Sequence, residues 1–128
     1  IMCFLNSPTY IGFTKSLANN GYRAVHSPLY LDEENVWRMD YEDMEKKIVE
    51  YKIHAAVFCS PYNPVGRVWT RDEIERAMEI FKRHNVFVVS DEIWSDIITL
   101  GHKHIPHTER QRGCPPADRG SLCAQQDF

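Results

Sequence analysis

No apolar run in this 128-residue chain approaches the roughly 20 residues needed to cross a bilayer. No signal-peptide pattern stands at its start. A membrane protein is therefore not expected, and the expected location is the cytoplasm. Cysteine is scarce and unpatterned: Cys3, Cys59, Cys114 and Cys123 include no CxxC spacing. That excludes a zinc ribbon or a disulfide frame and leaves free thiols as the reading. Neither sign of charge dominates, with 15 Lys and Arg against 18 Asp and Glu for a net charge of −3. A nucleic-acid surface is not expected from that balance. No internal repeat is present. His102 and His104 flank Lys103 without further ligands, which reads as a solvated loop rather than a metal site. No lysine follows Lys103. The chain opens on Ile1 without a helix cap or turn and reads as an excerpt, at most one modest domain or a part of a larger one.

What is present is concentrated at two places. The apolar run Ala55-Ala56-Val57-Phe58 leads into Ser60-Pro61-Tyr62-Asn63-Pro64-Val65-Gly66-Arg67, and the run Val86-Phe87-Val88-Val89 leads into Ser90-Asp91-Glu92-Ile93. Between them, Thr70-Arg71-Asp72-Glu73 is a capping box, with Thr70 capping the helix and Glu73 reaching back. Ile74, Ala77, Met78 and Phe81 make the buried stripe of that helix, which Asn85 closes. Two strands joined by a helical crossover lie parallel. Asn63 and Asp91 therefore come to the carboxyl edge of one sheet, where open α/β folds bind ligands.

The flanking chain fits the same class. A helix is expected over residues 9–18, stopped by Asn19-Asn20-Gly21, and a short strand over 22–26. Residues 28–38 read as a charged, irregular link. Asp40 can cap a helix running to about Tyr51 with Met44, Ile48 and Tyr51 on one face. The strand over residues 54–59 is apolar throughout, as a strand buried on both faces should be. The order of elements points to a three-layer α/β/α arrangement. After Pro106 the character changes: residues 107–128 have almost no apolar periodicity and, taken alone, predict disorder. The division expected is 1–106 as a partial large domain and 107–128 as an aberrant tail.

A carboxylate just after a strand can hold a positive charge in place, and an asparagine in a proline-flanked loop can present its amide to a ligand oxygen. A pyridine cofactor with a ring hydroxyl needs both: the carboxylate keeps the ring nitrogen protonated, and the amide donates to the phenolic oxygen. Local readings compete. Asn63-Pro64 also fits an ordinary turn and Asp91 a helix N-cap. Tyr10 fits a core residue, Arg67 a contact to substrate or, preferred, a pair with a surface acid, and Cys59 a buried core thiol. Glu33-Glu34 and Glu45-Lys46-Lys47 fit solvated faces.

The Asn63 loop followed by Ser90-Asp91-Glu92-Ile93-Trp94-Ser95-Asp96 resembles the large, cofactor-binding domain of fold-type I pyridoxal-phosphate enzymes. Within them it is most similar to the class II aminotransferase-like branch holding cystathionine β-lyases and related carbon–sulfur lyases. The likeness runs from about Pro8 to Pro106. It implies pyridoxal 5'-phosphate as cofactor, Asn63 on its ring oxygen, Asp91 on its ring nitrogen and Tyr10 stacked on the ring. Trp94 falls where many aminotransferases carry a tyrosine near the ring oxygen; its indole can wall the pocket but supplies no hydroxyl, which favours a lyase over a plain transaminase. The resemblance also implies an amino-acid substrate and a homodimer with the site at the subunit interface.

The resemblance further implies a Schiff-base lysine in a Ser-Lys-Thr-like segment. At the corresponding distance this chain reads Ala124-Gln125-Gln126-Asp127-Phe128. Back-translated and read one nucleotide later, the codons of residues 107–128 permit a string ending Pro-Ser-Lys-Thr. The expectation is a one-nucleotide shift near His107, and an inactive chain as it stands. A phosphate-binding glycine-rich turn is expected before Ile1, and an arginine for the substrate carboxylate in a C-terminal small domain.

Overall fold

The structure, a computed structural model, describes residues 1–98 and 101–105. Its centre is a four-stranded sheet, all parallel, built from β1 (Met2–Ser7), β2 (Arg23–Pro28), β5 (Ala55–Cys59) and β6 (Phe87–Asp91). The spatial order is β2-β1-β5-β6, so the chain reverses direction across the sheet after β2. Helix α1 (Ile11–Asn19) joins β1 to β2, α2 (Tyr41–Glu50) lies between β2 and β5, and α3 (Arg71–Arg83) joins β5 to β6. Right-handed crossovers in opposite directions place α1 on one face and α2 with α3 on the other. This is the expected three-layer α/β/α order.

The core lies between the sheet and the α2–α3 layer. Phe4 of β1 and Ala56 and Phe58 of β5 meet Met44 and Ile48 of α2 and Ile74, Ala77, Ile80 and Phe81 of α3, all buried. Phe81 sits edge-on to Phe4, with ring centroids 5.6 Å apart, and to Phe58 at 6.5 Å. Both are favourable aromatic geometries. Met78 is only partly buried and Ile80 takes the inner position instead. On α2, Met44 and Ile48 face inward as expected, but Tyr51 is the exposed C-terminal cap.

Three local expectations are replaced. The first strand, β1, was not foreseen, yet it sits inside the sheet, where four of its six residues are buried. The 9–18 helix starts two residues later, at Ile11, with Tyr10 as N-cap and no side-chain cap bond. The 28–38 link contains a two-stranded antiparallel hairpin, β3 (Tyr30–Leu31) with β4 (Trp37–Arg38). The Asp32 carboxylate closes it by accepting the Glu34 and Val36 amides at 2.9 and 2.8 Å. Both expected caps form: Asp40 Oδ1 accepts the Asp43 amide at 3.0 Å, and the Thr70–Glu73 capping box is reciprocal. The tail over residues 107–128 lies outside the described residues.

Candidate cofactor site

Parallel pairing in register sets Cys59 opposite Asp91 at the carboxyl ends of β5 and β6. The Ser60 amide donates to the Asp91 carbonyl at 2.9 Å, so the two strand ends separate only beyond this point. The Cys59 thiol lies 3.5 Å from Asp91 Oδ2 and 3.1 Å from the Pro61 carbonyl oxygen. Burial pushes this thiol up to about 12, with the neighbouring Asp91 charge acting in the same direction. Cys59 is thus the core thiol expected, and also a donor to the Asp91 carboxylate, a role invisible in its sequence position. Asp91 itself is half-buried, and its Oδ1 accepts the Ile93 amide at 3.2 Å. No α-helix follows it among the described residues, so it closes a local turn instead of capping a helix.

Asn63 sits in a loop that Tyr62 closes through both its backbone groups. The Tyr62 amide donates to the Arg67 carbonyl at 2.7 Å, and the Gly66 amide to the Tyr62 carbonyl at 2.8 Å. Gly66 at φ +71° makes the return that a side-chain-bearing residue would resist. The peptide bonds before Pro61 and Pro64 are cis, as is that before Pro8. Tyr62 is buried, and its hydroxyl donates to the Pro8 carbonyl at 3.0 Å. The Asn63 side-chain amide has no hydrogen-bond partner among the described residues and lines a hollow of about 290 Å³. Pro61, Pro64, Val68, Trp94 and Ile97 line it as well.

The structure therefore brings Asn63 and Trp94 to one hollow, and Asp91 to the strand end beside the start of the same loop. Tyr10 is not in that hollow. It stands 51% exposed beyond the end of β1, its ring edge-on to Phe13 at 5.6 Å, so the core reading of Tyr10 fails. Arg67 is not a surface residue either. Its Nη2 donates to both Glu73 oxygens at 2.6 and 2.7 Å, and its Nε to the Trp37 carbonyl at 2.9 Å. His104 bonds Glu92 Oε2 at 2.8 Å, which ties the segment at residues 101–105 back to the end of β6.

The edge suits a flat, polar-rimmed ring. Among the described residues, it offers a carboxylate with one oxygen held only by a thiol, an amide without a hydrogen-bond partner, and an indole wall. Two buried polar atoms, Asn6 Oδ1 after β1's apolar core and Ser60 Oγ just past β5, are also unpaired among the described residues. Such orphans are unusual in a finished interior.

The family profile for aminotransferase class I and II matches residues 3–112, beginning and ending about six residues outside the stretch expected from sequence. The cystathionine beta-lyase PatB of Bacillus subtilis is 38% identical over 99 residues, covering 77% of this chain and 25% of that protein. Protein MalY of Escherichia coli is 33% identical over 110 residues, covering 85% of this chain and 28% of its own. The PLP-bound C-S lyase from Staphylococcus hominis superposes with a TM-score of 0.79 at 33% identity, covering 84% of this chain and 27% of that one. The chain thus spans about a quarter of the length of the relatives it matches. A parallel α/β sheet that superposes on a PLP-bound relative, and a sequence match over most of its length, place this chain in the aminotransferase class I and II family of pyridoxal-phosphate-dependent enzymes.

Proposed function

We propose that this chain is the central part of a pyridoxal-phosphate-dependent carbon–sulfur β-lyase acting on sulfur amino acids such as cystathionine. The overall reaction breaks the Cβ–S bond, consumes one water, and yields a thiol, pyruvate and ammonia. The observation that carries the reading is that Asp91 ends β6 at the same sheet edge as the loop of Asn63, whose side-chain amide has no hydrogen-bond partner among the described residues, in a chain whose relatives include a cystathionine β-lyase and a C-S lyase.

When bound, pyridoxal phosphate supplies a protonated pyridine ring that draws electron density from the substrate Cα. Asp91 would hold the proton on the ring nitrogen, and the Cys59 thiol fixes the Oδ2 side of that carboxylate. Asn63 would donate its side-chain N–H to the ring oxygen. Tyr10, exposed at the end of β1, would cover one ring face, and Trp94 walls the hollow beside Asn63. Trp94 brings no hydroxyl to the ring oxygen, which favours elimination over amino transfer.

Moving the Cα proton needs a lysine amine. Lys103, the last lysine of the sequence, is exposed and lies within the segment that the Glu92–His104 bond closes. The 128-residue chain as it stands is therefore read as inactive, and the codon shift near His107 as the reason. The active form is read as a cytoplasmic homodimer. The second reading, amino transfer to a 2-oxo acid, draws on relatives named as transaminases, such as an alanine aminotransferase of Mycobacterium tuberculosis at 34% identity over 100 residues. The complete gene product separates the two. Pyruvate released from cystathionine without an added 2-oxo acid supports the lyase; amino transfer without pyruvate release overturns it.

A further inference from the structure

Glu73 does more than close its helix. Its carboxylate accepts four hydrogen bonds. Oε1 takes Arg67 Nη2 at 2.6 Å and Arg38 Nη1 at 3.0 Å; Oε2 takes Arg67 Nη2 at 2.7 Å and the Thr70 amide at 2.8 Å. Every acceptor site of the carboxylate is used, and the residue is 8% exposed. Burial pushes the Glu73 carboxyl up, but the bonds from Thr70, Arg38 and Arg67 outweigh it and hold it below its ordinary value.

The Arg67 end of this network is the closing residue of the Asn63 loop. Besides Glu73, its guanidinium donates to the Trp37 and Val68 carbonyls and lies 4.9 Å over the Trp69 ring. Trp69 is buried and donates from Nε1 to the Cys59 carbonyl at 3.1 Å, which returns the chain of contacts to the Asp91 partner. Tyr62, at the other end of the loop, packs on the same Trp69 ring at 5.5 Å. Both ends of the loop are thus fixed to one indole and one carboxylate. A point charge could neutralise Glu73, but only a planar fork can bond Glu73 and the Trp37 carbonyl from one side chain.

We propose that Arg67 and Glu73 are positioning residues for Asn63, setting where its amide stands relative to Asp91 and so how well the site reads a ring oxygen. This rests on the cofactor reading given above. The test compares two probes, pyridoxal phosphate and its 3-deoxy analogue, which lacks the ring hydroxyl. Each is titrated into the ¹⁵N-labelled 128-residue chain and followed by amide chemical shifts, which register weak binding. Asn63 touches only the first probe through its hydroxyl. The wild-type chain is expected to prefer pyridoxal phosphate by about tenfold, the discrimination of one good hydrogen bond to a charged or polarised acceptor. In Arg67→Lys and in Glu73→Gln that preference is expected to fall to about twofold or less, while affinity for the deoxy analogue holds. In the unliganded chain, the same substitutions are expected to move the Asn63 side-chain NH₂ resonances while those of Asn85, at the far end of α3, stay in place.

Equal weakening of both probes, or an unchanged preference with unmoved Asn63 resonances, would assign the pair a purely structural role and overturn the inference. Wild-type chain that binds neither probe brings down the cofactor reading and this inference with it. Wild-type chain that binds both without preference overturns the inference alone. If one variant fails to fold, the other carries the same comparison.

Discussion

The Cys59 thiol and the Asp91 carboxylate face each other across paired strand ends, Sγ to Oδ2 at 3.5 Å, 32 residues apart in sequence. Two parallel strands joined by a helix have made neighbours of a core residue and a site residue. The thiol is buried among β5, the Pro61 carbonyl and Asp91, and it is held in its neutral form.

That protonation state sets reactivity. Burial lifts Cys59 to about 12 and Cys3 to about 11, from an ordinary 9.0. Thiolate is the reactive form. Iodoacetamide at pH 8 is expected to leave both cysteines unmodified in the folded chain and to label them in urea, as read by peptide mass mapping. Labelling of Cys59 without denaturant would show that the strand end is open.

The same shifts give an alkaline limit. Groups whose folded value is raised keep their contribution below the unfolded value and lose it as pH rises toward the folded one. Cys3 and Cys59 titrate from 9.0 unfolded to about 11 and about 12 folded, and Tyr41, raised mainly by burial, from 10.0 to about 12. Urea midpoints are expected to fall steadily between pH 9 and 12. Cys59→Ala should flatten the lower part of that fall.

At the acid end the sign reverses. The Glu73 carboxyl is held below its ordinary 4.5, so its contribution is present above that value and is lost as pH falls through the folded value. Stability is expected to drop below about pH 4.5, and Glu73→Gln is expected to be less stable at pH 7 and less sensitive to acid.

Core substitutions scale with the packing around them. Phe81 is 1% exposed and meets both Phe4 and Phe58 edge-on. Phe81→Ala is expected to cost about 3–5 kcal/mol in urea unfolding. Thr70→Ala, which removes only the side-chain half of the capping box, is expected to cost about 1 kcal/mol.

Much of this architecture was legible because its signals are local. The capping box of Thr70 and Glu73, the Asp40 cap and the apolar runs before Ser60 and Ser90 each declare an element within a few residues. Their order then fixes the parallel pairing that brings Asn63 and Asp91 to one edge. What escaped has non-local causes. β1 carries no turn signal before it, and its burial comes from neighbours on both sides, β2 and β5. The β3–β4 hairpin has only two residues per strand and is held by the Asp32 side chain. Arg67 looks like a surface residue in the sequence because its partner Trp37, and Arg38, which shares Glu73 with it, belong to that unforeseen hairpin, while Glu73 has a local task in the capping box. Tyr10 was open between core and ring contact; its exposure removes the first and leaves the second to experiment.

The most direct measurement concerns Asp91. Pyridoxal phosphate labelled with ¹⁵N in its ring is added to the wild-type chain and to Asp91→Ala, at a pH where the free ring nitrogen has lost its proton. The expected result is the ¹⁵N shift of a protonated ring nitrogen with the wild-type chain and of an unprotonated one with the variant. An unprotonated nitrogen in the wild type, or the same protonated shift in both, would contradict the placement of the cofactor ring at the Asp91 strand end.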